Sequence, residues 1–361
     1  MLITVLLIFV GMGLVMVYSS SAIYAFEKYG SASYFLWRQV IWALIGLSAA
    51  GFFVFFDHRK LQKLANPLLL LTLAGLIAVL IIGREVSGAR RWLRLGGIGF
   101  QPSEFAKLAM IIFVASYCDR KKSKLENFQK GVLPLLFVVA LFCGLIFLEP
   151  DFGNASLLFL TCLSMVFIGG GNLKQIFILG LMAAPLAGLA VWLEPYRRRR
   201  ILAFLNPWEN PQGASYQIVQ SILALGSGGL TGVGLGGSHS KLLYLPKPHT
   251  DFIFPIFGEE FGLMGSWAVI GLFGVLAALG FRIAARSLNL FSSLLAGGIT
   301  MLILFQAILN IAVVTGCLPP KGFPLPFFSF GGSSLIVTLS ASGILLNISR
   351  SAKKKFNASI L

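Results

Sequence analysis

Apolar residues along this chain come in long runs, and short clusters rich in arginine, lysine, glycine and proline interrupt them. A helix that crosses a bilayer needs about 20 mostly apolar residues. Ten runs approach that length, at residues 2–19, 37–56, 64–82, 103–118, 132–148, 155–170, 175–193, 253–281, 290–315 and 331–349. The fourth and sixth are short, and reading the run from Ala155 as one piece with its neighbour gives nine. The pattern predicts an all-α integral membrane protein of ten transmembrane helices, one polytopic domain over residues 1–361. The longest polar stretch, residues 194–252, falls between the seventh and eighth runs. Inside it, SYQIVQSILALGSGG (215–229) sets Ile218, Ile222 and Leu225 at helical spacing. That spacing predicts an amphipathic helix on the membrane surface and a large, partly helical extracytoplasmic loop.

Composition agrees: 57% of the 361 residues are hydrophobic and 12% charged, far more apolar than a soluble core requires. A net charge of +16 would suggest nucleic acid on a polar surface. Here the basic residues sit between spans, so anionic lipid headgroups are the expected partner and nucleic acid is not. With the N-terminus inside, the inner segments carry 15 lysines and arginines and the short outer loops seven, which predicts both termini in the cytoplasm. The long loop translocates regardless of charge and does not enter that balance. Outer arginines run against the rule, and their presence points to something anionic held there. The first run begins at Met1 without a basic leader and reads as a retained span. No repeat of fixed period is visible. Cys118, Cys143, Cys162 and Cys317 lack metal-ligand spacing and read as packing residues. His58, His239 and His249 form no metal pattern, and GVGLGG (232–237) lacks the strand a dinucleotide loop needs.

Three stretches carry candidate chemistry. LPKPHTDFIFPIFGEE (245–260) brings His249 and Asp251 to the point where the chain re-enters the bilayer, with Glu259 and Glu260 two turns on. An acid at that depth costs roughly 2.5–3.5 kcal/mol even on lenient scales, so a functional role stands beside a helix N-cap as its reading. In GREVSGARRWLRLGGIGFQPSEFAKL (83–108), Pro102 suits a first helical turn, and Glu104 and Lys107 then lie on one face. They read first as a salt bridge entering the membrane as a pair. Upstream, Arg90, Arg91 and Arg94 flank Trp92, where guanidinium forks suit phosphate oxygens and an indole suits the interface; headgroup anchoring and specific binding both fit. In TGCLPPKGFPLPFFSFGGSS (315–334), four prolines forbid a continuous helix, and such backbone near membrane depth belongs inside protein or along a cavity. Lys321 sits in it, either solvated or facing the same cavity as Asp251. Gly331, Gly332, Ser333 and Ser334 allow close helix approach.

Together with EPDFG (149–153) and the run from Arg197 to Gly236, these stretches resemble the SEDS family of bacterial cell-wall polymerases, its division branch more than its rod-elongation branch. The likeness covers most of the chain. It implies ten transmembrane helices and a peptidoglycan glycosyltransferase acting on lipid II, a disaccharide-pentapeptide on undecaprenyl diphosphate. It also implies a multi-pass protein of the bacterial cytoplasmic membrane, at the division septum, beside a class B penicillin-binding protein and other division proteins. The aspartate of the family's HTDF motif is its essential acid, here Asp251, and Glu104 with Lys107 match its QPSE-x-x-K pair. Three positions depart: Lys247 stands where relatives carry glutamate, and Phe328 and Phe330 replace an isoleucine and a tyrosine. On this reading Asp251 is the general base, and Arg90, Arg91 or Lys321 meets the diphosphate. Trp92, Glu104, Lys107, His249 and Ser333 complete the expected substrate site. No metal-ligand set is indicated, although acid oxygens and a bound diphosphate could share a Mg or Mn ion. A lipid II flippase and a non-catalytic division scaffold are the alternatives.

Overall fold

The computed structural model describes residues 1–86, 89–95, 98–192, 195–209, 211–213, 215–242, 245 and 248–358. Lys247 and Tyr244 lie outside the described residues. Among the described residues twelve α-helices run α1 (Leu2–Tyr29), α2 (Tyr34–Phe55), α3 (His58–Ile82), α4 (Pro102–Arg120), α5 (Leu133–Leu148), α6 (Phe152–Ile168), α7 (Leu173–Trp192), α8 (Pro195–Leu205), α9 (Tyr216–Ser227), α10 (Ile253–Ala285), α11 (Leu290–Val314) and α12 (Gly332–Ala358). Every expected span falls on one of them. Among the described residues, seven helical segments are long and apolar enough to cross a membrane: α1, α2, α3, α5 with the π-turn before it, α10, α11 and the first 21 residues of α12. α6 is apolar but shorter.

The boundaries that differ do so for local reasons. Hydropathy fades at Ser19, yet α1 continues to Tyr29, and Ser20 and Ser21 satisfy their hydroxyls inside it by donating to the carbonyls of Met16 and Val17. α3 begins before its apolar run because Asp57 caps it, accepting from the N–H of Arg59.

α4 and α11 are buried along much of their length and pack on one another, so Glu104 and Lys107 are carried by one of the best-buried elements. Between α3 and α4 the chain forms an antiparallel sheet, β1 (Arg84–Val86), β2 (Ala89–Leu95) and β3 (Ile98–Phe100), in that order. This small sheet adds to an otherwise helical fold.

α10 breaks at Gly262, whose φ of 68° and ψ of −167° suit only glycine. The glycine-rich run after α9 repairs the break. Gly229 and Leu230 accept from the N–H groups of Leu263 and Met264, and Val233 and Gly234 donate to the carbonyls of Glu259 and Glu260. Close approach requires Gly232, where a Cβ would lie 2.2 Å from the Glu260 carbonyl oxygen. So the start of the GVGLGG run serves backbone packing against the break in α10.

Two expectations change here. α9 does not offer Ile218 and Ile222 to lipid: Ile218 is 1% exposed, Ser221 donates to the Val314 carbonyl, and Ile218 and Ile222 pack at Gly316 beyond the end of α11. Its apolar face is used up by protein. Glu259 and Glu260 are likewise taken up by the fold. Glu259 accepts from Ser238 Oγ and the N–H groups of His239 and Ser240, while Glu260 pairs with buried Lys241 at 2.9 Å and accepts from Ser19. They latch the long loop onto α1 and α10.

Candidate active site

Asp251 occupies a turn just ahead of α10 and is partly exposed. Phe252 takes the N-cap position of that helix, so Asp251 stands one residue outside the place a capping aspartate would hold. Its backbone carbonyl accepts from Asn310 Nδ2 at 2.8 Å. Its carboxylate lies against Gly322, where an added Cβ would come within 2.5 Å of Oδ2. The proline-broken segment is exposed at Thr315, Cys317, Leu318 and Gly322 and buried from Phe323 to Ser329 except at Pro324, so only its second half runs inside the protein. Phe330 donates to the His249 carbonyl, and Asn310 Nδ2 also donates to that of Phe323.

His249 is 4% exposed, its ring among those of Tyr24, Phe35 and Phe330, with the nearest centroid, that of Phe35, at 4.2 Å. Its backbone and ring organise the turn that carries Asp251. Phe330 meets Phe35 edge-to-face at 5.1 Å, and Phe328 is fully buried, so both substituted aromatics act as core.

Lys321 reaches sideways to α6. Its Nζ lies 4.1 Å above the Phe152 ring, and its stem would be 3.5 Å from a Cβ on Gly153. Asp151, next to Phe152, caps α6 by accepting from the N–H of Asn154 and from its side-chain amide. Asn154 Oδ1 then accepts from Lys107 Nζ at 3.0 Å. Lys107, 1% exposed, also donates to Glu104 at 2.9 Å and to Gln306 Oε1 at 3.5 Å, the longest of the three. The predicted pair is present, and it belongs to a larger polar chain.

A bulge in the β1–β2 pairing leaves Arg91 without a partner residue on β1, while Glu85 pairs with Arg90 and Arg84 with Trp92. Arg91 donates to the carbonyls of Glu149 and Pro150 and stands 3.9 Å from Asp151. Arg90 remains largely exposed, 4.0 Å from Glu85, and Trp92 packs on Gly99. Ser333 is placed elsewhere: it is buried at the start of α12 and accepts from the N–H of Gln101. The structure thus gathers Asp251 with the Lys321 segment, and Arg91 with Asp151, Asn154, Lys107 and Glu104. Arg90, Trp92 and Ser333 lie outside both groups.

Sequence reasoning missed Asn154, Gln306 and Asn310, all amides in apolar surroundings, and Arg200, which donates from the long loop to the Pro320 carbonyl at 3.0 Å. The signal for the α11 pair was available, since glutamine and asparagine four apart share one helix face inside an apolar run.

Glu149 is fully buried beside Arg91, and neither carboxyl oxygen has a hydrogen-bond partner among the described residues. Burial pushes its carboxyl up to about 8 from an ordinary 4.5, Asp151 adds to the rise and Arg91 opposes it. Between those values the folded state keeps a proton that the unfolded chain releases, so stability should fall as pH rises through that window. Thermal unfolding of purified protein at pH 5 and pH 8.5 should show the decline, and Glu149→Gln should flatten it. An undiminished decline in that variant would assign it to another group.

Comparison with known proteins is consistent along the whole chain. A family model for FtsW, RodA and SpoVE, described as "Cell cycle protein", matches residues 1–354. The chain is 44% identical over 343 residues to a protein of Geobacter sulfurreducens named "Probable peptidoglycan glycosyltransferase FtsW", covering 94% of this chain and 92% of that one. It is 41% identical to Stage V sporulation protein E of Bacillus subtilis, over 97% and 96% of the two chains. Among solved structures, a chain described under "Structural coordination of polymerization and crosslinking by a peptidoglycan synthase complex" superposes with a TM-score of 0.81 at 31% identity, over 97% of each chain. The rod shape determining protein RodA of Thermus thermophilus superposes with a TM-score of 0.71 at 30% identity, over 97% of this chain and 96% of RodA. Matches of that length across sequence and fold leave one assignment: this multi-pass membrane protein belongs to the FtsW/RodA/SpoVE family of cell cycle proteins, the SEDS family that its motifs resemble.

Proposed function

We propose that the chain is a peptidoglycan glycosyltransferase that joins lipid II disaccharides into glycan strands at the outer face of the cytoplasmic membrane during division. In each step a sugar hydroxyl of one substrate attacks the anomeric carbon of another. The new glycosidic bond forms as the bond to undecaprenyl diphosphate breaks, and the hydroxyl proton passes to Asp251 as general base. Negative charge collects on the departing diphosphate, where Lys321 and the outer arginines supply cations at fixed positions. Both partners are lipids, so the site must open to the bilayer rim.

One observation carries this reading: a partly exposed carboxylate sits outside its helix cap, against the glycine that follows Lys321. Lys107 and Glu104 are buried one layer below and act as support, consistent with their reading as a pair. Arg91 has three partners from the 149–151 turn, which leaves Arg90 the more loosely tethered of the two. Names of relatives support the division role, and the neighbour that couples polymerization to crosslinking supports a crosslinking partner, a class B penicillin-binding protein. The excess of inner lysine and arginine supports cytoplasmic termini.

Purified protein in vesicles supplied with lipid II, with and without that partner, tests the proposal. Glycan ladders on a gel are expected. Exchange of lipid II between leaflets without ladders would make the chain a flippase, and neither activity would make it a scaffold.

A further inference from the structure

Gln306 and Asn310 lie one turn apart on α11, 3% and 1% exposed, and each donates out of the helix to backbone that has no ladder of its own. Asn310 Nδ2 serves two carbonyls at once, those of Asp251 and Phe323. Gln306 Nε2 donates to the Pro324 carbonyl at 2.8 Å, while its Oε1 faces Lys107. The carbonyls served belong to two irregular segments, the turn before α10 and the PKGFP run. Prolines in that run remove donors it would otherwise offer.

The choice of residue is informative. Asparagine is the smallest side chain with two N–H donors on one nitrogen, which lets a single atom bridge two strands and fix their spacing. It carries no charge that would compete with Asp251 for a proton. It also has a cost, since among the described residues Asn310 Oδ1 is buried without a hydrogen-bond partner. A residue kept only for packing would avoid that stranded acceptor.

We propose that Asn310 and Gln306 are positioning residues for glycosyl transfer. Asn310 sets the separation between the Asp251 turn and the Lys321–Gly322 segment, and Gln306 ties the same segment to the Lys107 ion pair. The inference rests on the reading of Asp251 as base. It assigns the register between base and cation to two buried amides, not to the loops that carry them.

The test uses the full-length protein in lipid II vesicles, with kcat and KM measured separately across pH. Asn310→Leu keeps the side-chain size and removes both donors. It should lower kcat about 30-fold with KM changed less than about threefold, the scale expected when reacting groups shift by about 1 Å. It should also move the acid limb of the pH–rate profile by about one unit, because the carboxylate changes surroundings. A smaller folded fraction would scale every rate equally and leave that limb in place. Gln306→Leu should act in the same direction more weakly, and Asn310→Ser, which retains one donor, carries the test if the leucine variant does not fold. An Asn310→Leu enzyme with near-normal kcat, or with reduced kcat and an unmoved acid limb, overturns the proposal. Run in parallel, an inactive Asp251→Asn enzyme beside an active Asn310→Leu enzyme would leave the base reading standing and reject positioning. An active Asp251→Asn enzyme would reject both.

Discussion

Asp251→Asn should reduce glycan polymerisation by about 10²- to 10⁴-fold, the range that loss of a positioned general base usually costs. Asparagine preserves the size of the side chain, the carbonyl that Asn310 holds and the contact with Gly322, and it removes the negative charge and with it the site that takes the proton. Binding of lipid II and thermal stability should stay close to wild type. A companion change separates position from charge. At Gly322→Ala the new Cβ would press on Asp251 Oδ2, the far end of a side chain that can rotate away. The fold should therefore tolerate it while activity drops at least about tenfold, because a displaced base loses catalytic geometry even when its charge is intact. Gel-resolved glycan synthesis with equal amounts of folded protein measures both. Activity of Asp251→Asn within about threefold of wild type would remove Asp251 from the mechanism, since no general-base contribution is that small.

The contrast between what these residues announce in one dimension and what they do in three follows from the kind of contact involved. Span positions were legible because hydropathy over about 20 residues reflects a single constraint, satisfaction of the backbone in lipid. The Glu104–Lys107 pair was legible because its geometry is set within one helical turn. Asp251 and Lys321 were legible as misplaced charges. Their relation was not, because it depends on Gly322 meeting a turn 71 residues away. Glu259 and Glu260 looked like reinforcement for Asp251 by nearness in sequence. Helical rotation and the break at Gly262 point them at the glycine-rich loop and at Ser19 instead. Ile218 and Ile222 had the right period for a surface helix, and period alone does not say whether lipid or a neighbouring helix covers the face. Arg90 and Arg91 looked equivalent until the fold set Arg91 against the 149–151 turn and left Arg90 largely exposed.

Lys107→Met should be the most damaging change to the fold. Glu104 and Lys107 are 2% and 1% exposed, and Lys107 is the cation that faces the Glu104 carboxylate. Removing it strands an ionised acid in the interior, together with the acceptors of Asn154 and Gln306. Breaking a buried pair from one side costs about 3–5 kcal/mol, whereas replacing both members by neutral groups of similar volume is often neutral or better. The single variant should therefore give little folded protein after detergent extraction, with a clearly lowered melting temperature, and Glu104→Gln in the same chain should restore most of that loss. Polymerisation should not return with stability. The double variant still lacks the donor that joins Asn154 on α6 to Gln306 on α11, and Gln306 is what holds the Pro324 carbonyl beside the Asp251 turn. Recovery of melting temperature without recovery of kcat would place the ion pair in the service of the reaction as well as the fold, and recovery of both would confine it to stability.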